Sequence, residues 1–213
     1  MKMNVFKDIR GYLWLYKDSY AKKIKTLISN FCVILIFFLK DVKKGKKNTF
    51  IGIPKIKRYP FSNISIGNGC RFNSSIFSTN IGLYKKCTIV TVARQAKIIV
   101  GNNAGFSGVT LLSASIINIG DNVLVGAHSI IMDTDRHNVK PLERLTGSVA
   151  TKPIYIKENV WIGMNCIILK GVTIGENSVI GSNSVVTSDI PPNVIAAGNP
   201  CKIIMPLSLL TKK

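Results

Sequence analysis

A period of six residues constrains the fold of this chain more than any other sequence feature. From Ile156 the sequence divides into six consecutive blocks, "IKENVW", "IGMNCI", "ILKGVT", "IGENSV", "IGSNSV" and "VTSDIP". The aliphatic first position keeps its phase through all of them. A period of six matches neither the 3.6-residue repeat of an α-helix nor the two-residue alternation of a simple hairpin, so both are excluded here.

The period fits a parallel β-helix, in which each block supplies one short strand and one turn. The first positions then point into the axis and form a buried ladder of Ile156, Ile162, Ile168, Ile174, Ile180 and Val186. The small or β-branched fifth positions pack beside this ladder, as at Cys166, Val172, Ser178 and Ser184. We expect the Gly and Asn residues after each aliphatic position to form corners with positive φ.

The repeat is interrupted upstream. Copies begin at Ile119 and Val125, with looser copies at Ile66 and Val100, but Ile119 and Ile156 lie 37 positions apart, which is not a multiple of six. We therefore predict a loop excursion over residues 133–153. Loops carried by a rigid scaffold are common places for function.

The excursion opens with "MDTDRHNVK", which contains one of the two histidines of the chain. In an extended segment Asp133, Asp135 and His137 would share one side, which would bring a carboxylate close to the imidazole. From the residues alone, a solvated loop histidine remains the alternative. The second histidine, His128, occupies a position where neighbouring blocks carry Asn, so we interpret it as a corner residue.

Metal and disulfide frameworks are not expected. Two histidines per chain cannot supply a three-histidine zinc site without using His128. The five cysteines are widely spaced and form no C-x-x-C pair, which favours small buried thiols in a reducing compartment.

The positive charge is concentrated near the N-terminus. Residues 1–60 carry 15 basic and 3 acidic side chains, which is +12 of the total +19. Lysines flank the apolar run "TLISNFCVILIFFL", which is shorter than the ~20 residues that a membrane-spanning helix needs. We predict an interfacial helix on an anionic membrane. The alternative is a helix that packs on its own domain or on a neighbouring subunit. No nucleic-acid partner is expected, since no zinc-finger or RNP-like motif accompanies the charge.

This gives three predicted regions: a basic and apolar helical arm over residues 1–47, a β-helix over 48–205, and a tail over 206–213. The blocks resemble those of the hexapeptide-repeat acyltransferases between about Ile64 and Ile204. The segment from "NVWIGMNCII" to "GNPCKII" is similar to the acetyl-CoA-binding half of galactoside, maltose and polysaccharide O-acetyltransferases. The upstream segment from "VGNNAG" to "TDRH" is most similar to the capsule and lipopolysaccharide O-acetyltransferase branch.

The resemblance implies a left-handed β-helix, whereas the general rule for β crossovers would predict the opposite hand. It further implies a homotrimer with active sites between subunits, acetyl-CoA as co-substrate and no metal. It makes His137 the general base, with Asp135 beside it and Trp161 near the acyl-transfer site. The backbone N–H groups of Gly163 or Met164 are the implied oxyanion donors.

By the same resemblance, the coenzyme contacts are Gly163, Met164, Ser182, Thr187, Ser188 and Lys202. Ser188 departs from the family pattern, which has a lysine there, so one phosphate contact is lost. Ser107, in "GFSG", and Asp133 are the implied acceptor contacts.

These features lead to the hypothesis of an acetyl-CoA-dependent O-acetyltransferase acting on a sugar hydroxyl of a surface polysaccharide or its lipid-linked precursor. The expected location is cytoplasmic, peripheral at the inner face of the membrane. Two alternatives stay open, namely N-acetylation of an amino-sugar nucleotide and a non-catalytic β-helix scaffold.

Overall fold

A computed structural model describes residues 8–76 and 78–209 of the chain. One long helix, α1 (Ile9–Leu39), precedes a series of short strands. The strands are β1 (Lys43–Lys44), β2 (Thr49–Ile51), β3 (Lys55–Lys57), β4 (Asn63–Ile66), β5 (Arg71–Asn73), β6 (Thr88–Thr91), β7 (Lys97–Val100), β8 (Gly105–Ser107), β9 (Thr110–Ser113), β10 (Ile116–Ile119), β11 (Leu124–Val125), β12 (Ile130–Met132), β13 (Ile154–Ile156), β14 (Trp161–Ile162), β15 (Ile167–Ile168), β16 (Thr173–Ile174), β17 (Val179–Ile180), β18 (Val185–Val186), β19 (Val194–Ala197) and β20 (Lys202–Pro206). Two 3₁₀ turns lie at Pro141–Glu143 and Leu207–Leu209.

Every third strand joins the same sheet, which is the topology of a parallel β-helix. Sheet A has the order β1-β4-β7-β10-β13-β16, sheet B runs from β2 through β5, β8, β11, β14 and β17 to β19 and β20, and sheet C has the order β18-β15-β12-β9-β6-β3. Neighbours are parallel except β19 and β20, which are antiparallel and close the C-terminal end of sheet B. The predicted β-helix is therefore confirmed.

The predicted ladder lies in the axis of the solenoid, where all six of its members are buried. On sheet B the N-terminal coils replace aliphatic side chains with a column of phenylalanines. The rings of Phe50 and Phe72 stack at 5.1 Å, those of Phe72 and Phe106 stack at 4.9 Å, and Phe37 of α1 meets Phe50 edge-on at 5.5 Å. This column joins α1 to the core, since aromatic pairs add about 0.5–1.5 kcal/mol beyond their buried area.

The corners use Asn and Gly for different reasons. Asn122, Asn165, Asn177 and Asn183 have positive φ, as predicted. The Gly that follows each aliphatic position does not, so that half of the prediction is wrong. A Cβ on Gly163 would lie 2.6 Å from the backbone nitrogen of Ser182, because the next coil stacks directly against it. Glycine is required there for close approach of two backbones rather than for a left-handed conformation.

Only the C-terminal part of α1 packs on the solenoid. Its buried residues are Ser29, Val33 and Phe37, and the remaining turns are exposed or half-buried. No helix among residues 8–76 and 78–209 is long and apolar enough to cross a membrane. The arm also ends earlier than predicted: β1 pairs with β4, so the first coil begins at Lys43 rather than at residue 48.

Two excursions leave the coils. The first, residues 133–153, lies between β12 and β13. A second, residues 74–87, lies between β5 and β6 and was not predicted.

The thiols follow the sequence prediction. Cys70, Cys87, Cys166 and Cys201 are buried, Cys32 is half-buried, and all are free. Burial raises the pKa of each of the four buried thiols.

Candidate active site

The residues predicted for the site occupy two edges of the triangular solenoid. At the B–C corner, where the chain passes from sheet B to sheet C, lie Gly163, Met164 and Ser182, each just after a sheet-B strand. At the C–A corner, where it passes from sheet C to sheet A, lie the excursion 133–153 and the pair formed by Thr187 and Ser188. A single chain therefore places its candidate base, His137, and three of its six candidate coenzyme residues at opposite ends of sheet C.

Asp133 begins the neck of the excursion, the segment closed by the Thr134–Thr151 bridge. Its carboxylate is fully buried and accepts hydrogen bonds from Ser113 Oγ at 2.6 Å, Ala114 N at 2.6 Å and Ser115 N at 2.9 Å. Those donors belong to the corner of the preceding coil. The prediction that Asp133 contacts the acceptor is wrong, because its oxygens are used inside the protein and are sealed from solvent.

Asp135 does not face His137. Its Oδ1 accepts from Lys170 Nζ at 2.6 Å, in an ion pair whose side chains are 28% and 27% exposed. Arg136 has a φ of 65°, which breaks the extended conformation that would have placed alternate residues on one side. The predicted shared face of Asp133, Asp135 and His137 is therefore wrong. The ion pair instead ties the neck to the coil that carries Lys170.

His137 follows directly and is exposed. Among the described residues, no hydrogen bond to its ring is present. Beyond it, Asn138 bridges the two limbs of the tip, with Nδ2 donating to Ser148 O at 3.0 Å and to Glu143 Oε2 at 3.2 Å. The structure thus presents an open imidazole just outside a neck held by ionic and backbone contacts.

The tip of the excursion exposes a cluster of aliphatic side chains. Leu142 is 98% exposed, Leu145 86% and Val139 76%. Side chains of this kind stabilise a protein only when another surface covers them.

At the B–C corner, both implied oxyanion donors are already engaged. The N–H of Gly163 donates to Ile180 O at 2.8 Å, and that of Met164 donates to Ser182 Oγ at 3.2 Å. The prediction that either is free for a thioester carbonyl is wrong for the chain in this conformation. The cause is the coil stacking itself, which satisfies backbone donors between successive turns.

The other predicted coenzyme residues are accessible. Trp161 lies on the outer face of sheet B and is 57% exposed, between Leu124 and Val179 of the adjacent coils. Thr187 and Ser188 are exposed just after β18. Lys202 is exposed on β20, at the antiparallel edge of sheet B.

Ser107, the implied acceptor contact, lies at the B–C corner at the end of β8. Its Oγ accepts from Asn73 Nδ2 at 3.0 Å, and its carbonyl accepts from His128 N at 3.0 Å. His128 has a φ of 66°, so the prediction of a corner residue is confirmed. Its ring stacks on Tyr84 at 3.7 Å between centroids.

The His128 ring has a perturbed environment. Burial, and secondarily the charge of Lys85, lowers the pKa of His128, and its Nδ1 is buried without a hydrogen-bond partner in the described part of the chain. Tyr84 and Lys85 come from the excursion that the sequence analysis missed. A signal was present, since Ile66 and Val100 lie 34 positions apart, which again is not a multiple of six.

No group of three or more His, Cys, Asp or Glu side chains that could hold a metal ion occurs within residues 8–76 and 78–209.

Comparison with known proteins agrees with this architecture. Residues 153–188 match the family model "Bacterial transferase hexapeptide (six repeats)", and residues 116–132 match "Hexapeptide repeat of succinyl-transferase". The galactoside O-acetyltransferase of Escherichia coli (strain K12) is 46% identical over 111 residues, which cover 51% of this chain and 54% of that protein. A maltose O-acetyltransferase structure from Clostridium difficile 630 is 30% identical, with a TM-score of 0.47, and the match covers 74% of this chain and 70% of that one.

The chain belongs to the hexapeptide-repeat transferase family. A structure of the hexapeptide-repeat-containing acetyltransferase VCA0836 from Vibrio cholerae is 26% identical, with a TM-score of 0.53 over 90% of this chain and 89% of that one. The fold of this family member is accordingly a left-handed β-helix. The chain spans about half the length of the curated relatives that it matches.

Proposed function

We propose that this family member is an acetyl-CoA-dependent O-acetyltransferase that acetylates a sugar hydroxyl of a surface polysaccharide or its lipid-linked precursor. The observation that carries the proposal is the placement of His137. It is an exposed imidazole at the end of a neck that Asp133 and the Asp135–Lys170 pair hold against the solenoid. A loop with no chemical task would not need such anchoring beside a titratable ring.

The proposed reaction is direct acyl transfer. A sugar hydroxyl is a poor acid, so the His137 ring takes its proton as the oxygen attacks the thioester carbonyl. The new C–O bond forms, the C–S bond breaks, and the coenzyme leaves as a thiol after taking a proton from the imidazolium. No covalent enzyme intermediate is required.

The arrangement of the two corners supports a site shared between subunits. The base at the C–A corner of one chain and the coenzyme contacts at the B–C corner become neighbours when a second copy packs alongside. The aliphatic tip of the excursion needs a cover, and another copy of the chain supplies one without any further partner. We propose a homotrimer in which each excursion leans over the groove of the next subunit.

In this arrangement the coenzyme lies across exposed positions. Trp161 packs near the acetyl group, Thr187 and Ser188 contact the pantetheine arm, and Lys202 pairs with the nucleotide phosphates as a cation. Gly163, Met164 and Ser182 shape the groove by allowing close backbone stacking. The oxyanion donor must come from a group other than the N–H of Gly163 or Met164.

The surface of α1 supports a location at a membrane. An exposed stripe at helical spacing runs along the helix and consists of Tyr16, Tyr20, Ile24, Leu27, Phe31, Ile34, Leu35 and Phe38. Lysines flank its apolar C-terminal half on both sides, which is the pattern of a helix lying in an anionic interface.

The decisive test is His137→Ala, assayed by thiol release from acetyl-CoA with a panel of sugars. General-base assistance is worth about 10²–10⁴ in rate, so kcat should fall by that factor while acetyl-CoA binding stays near normal. Arg136→Ala is the matched control, since Arg136 is the exposed neighbour of the base. Normal turnover by the His137 variant on a confirmed acceptor would refute the assignment.

A further inference from the structure

A cavity of about 790 Å³ lies between α1 and the second excursion, residues 74–87. It lies at the B–C corner of the N-terminal coils, just after β2 and β5, whereas Gly163, Met164 and Ser182 lie at the same corner of the C-terminal coils. Its size is within the range of small-molecule sites, about 300–1,000 Å³.

The lining of the cavity combines apolar and basic side chains. The apolar wall comes from Ile28, Ile51, Ile53 and Ile76. The basic wall comes from Lys22, Lys25, Lys85 and Lys86. The carboxylate of Asp18 also lines the space, but its Oδ2 pairs with Lys22 Nζ at 2.7 Å. The remaining charge of the lining is therefore strongly positive.

Lys85 is the most informative of these cations. It is half-buried, and burial lowers the pKa of its ammonium group. Its Nζ lies 3.5 Å from Thr110 Oγ1, and within the described residues no carboxylate lies within ion-pair distance of it. A partly desolvated cation without a counter-ion is stabilised by an incoming anion.

Tyr84 connects the cavity to the acceptor side of the site. It lines the cavity and stacks on His128, whose backbone nitrogen bonds to Ser107. A ligand that fills the cavity from the α1 side would thus extend toward Ser107 at its other end.

We infer that this cavity binds a lipid phosphate, with the hydrocarbon chain on the isoleucine wall and the phosphate on Lys85 and Lys86. The acceptor is then the lipid-linked form of the sugar, with the sugar directed past Tyr84 toward the B–C corner. The identity of the sugar-bearing ligand rests on the proposed function, whereas binding of a lipid phosphate does not. Ile28 lines the cavity, is itself exposed and follows Leu27 of the apolar stripe of α1, so a lipid ligand need not leave the bilayer completely.

Isothermal titration with decyl phosphate below its micelle concentration tests the site. Decyl maltoside supplies a chain without a phosphate, and inorganic phosphate supplies the anion without a chain. We expect decyl phosphate to bind at least about tenfold more tightly than either, because a charge-assisted contact and apolar burial both contribute. Lys85→Met, which keeps the apolar stem, should weaken binding by about tenfold or more.

Lys55→Met, an exposed lysine on β3, is the matched control and should bind normally. Lys86→Gln is the second variant, since Lys86 is exposed and its replacement does not disturb packing. The inference would be overturned if Lys55→Met weakened decyl phosphate binding as much as the cavity variants do, or if neither cavity variant weakened it. It would also be overturned if inorganic phosphate bound as tightly as decyl phosphate. Thiol release from acetyl-CoA with the same panel of sugars measures the proposed function separately. If decyl phosphate binds in a lysine-dependent way but no acetyl group is transferred to a sugar, only the proposed function is refuted. If acetyl transfer occurs but decyl phosphate does not bind in this way, only the lipid site is refuted.

Discussion

At the scale of single residues, the main finding is that the carboxylates of "MDTDRH" have structural partners. Sequence spacing indicated a carboxylate that orients His137, but Asp133 bonds to the preceding coil and Asp135 bonds to Lys170. Residue types in a loop do not specify their partners, because a single left-handed residue such as Arg136 changes which side chains face each other. In the proposed mechanism, the Asp135–Lys170 ion pair therefore contributes to the position of His137 rather than to its charge.

Replacing Lys170 tests this positioning role. Lys170→Met should lower kcat by about tenfold with little change in the acetyl-CoA KM, because a looser neck misplaces the base but leaves the coenzyme groove intact. The double variant Asp135→Asn/Lys170→Met should be no worse than the more damaged single variant. Lys140→Met is the control, since Lys140 forms an exposed pair with Glu143 in the same excursion. If Lys170 had only a structural role, its replacement would lower the melting temperature without lowering kcat selectively relative to the acetyl-CoA KM.

His128 should make stability depend on pH. Its pKa is lowered in the folded state by burial, and the neighbouring Lys85 adds repulsion. The unfolded chain therefore takes up a proton at a higher pH than the folded chain does. Stability is fully present above the usual histidine pKa of about 6.5 and is lost as the pH falls below it.

Thermal melting at pH 7.5 and 5.5 would measure this loss. We expect the wild type to lose a few degrees more than His128→Asn does, since Asn tolerates the left-handed corner and cannot titrate. Equal pH sensitivity in the two proteins would contradict the prediction.

At the scale of elements, the sequence predicted the ladder and the main excursion but not the second one. A six-residue repeat predicts only the coils whose sequence follows it. For the six blocks from Ile156 onward, both the coils and their buried first positions were predicted correctly. The repeat copies at Ile66 and Val100 match the pattern only loosely, so the break between them was not recognised as the excursion that carries Tyr84. The predicted arm of residues 1–47 extends past the end of α1 at Leu39, because the lysines after the helix were grouped with it although β1 begins at Lys43.

The exposed stripe of α1 gives the prediction at this scale. Leu27→Ser/Phe31→Ser/Ile34→Ser should reduce partition onto vesicles of phosphatidylcholine with phosphatidylglycerol by at least about tenfold, because interfacial binding follows the apolar area inserted. These residues lie off the face that holds Ser29, Val33 and Phe37, so the solenoid should melt at the same temperature. Leu209→Ser is the control for an exposed leucine elsewhere. If the triple variant partitioned onto the vesicles as well as the wild type does, the exposed stripe would have no role in membrane binding, and α1 would only cover the first coil.

At the scale of the whole molecule, the solenoid separates the residues proposed for the site instead of gathering them. The stacked coils hold the C–A corner and the B–C corner at opposite ends of sheet C. A closed symmetric assembly solves this problem, since each copy then supplies one half of a site to its neighbour. A site shared between subunits predicts a result that a site within one chain cannot produce.

Mixing two inactive variants provides the test. His137→Ala removes the proposed base, and Trp161→Ala removes the proposed acyl contact from the other corner. If each site takes its base from one subunit and its groove from the next, co-expression in equal amounts restores about a quarter of the sites, because each half is intact in half of the chains. If both halves come from the same chain, every site in the mixture carries one defect and no activity returns. Assaying the co-purified oligomer by thiol release, with each variant alone as the baseline, separates the two outcomes. A restored fraction near one quarter requires the partner's excursion to reach the groove, which is the role that its exposed Leu142 and Leu145 fit.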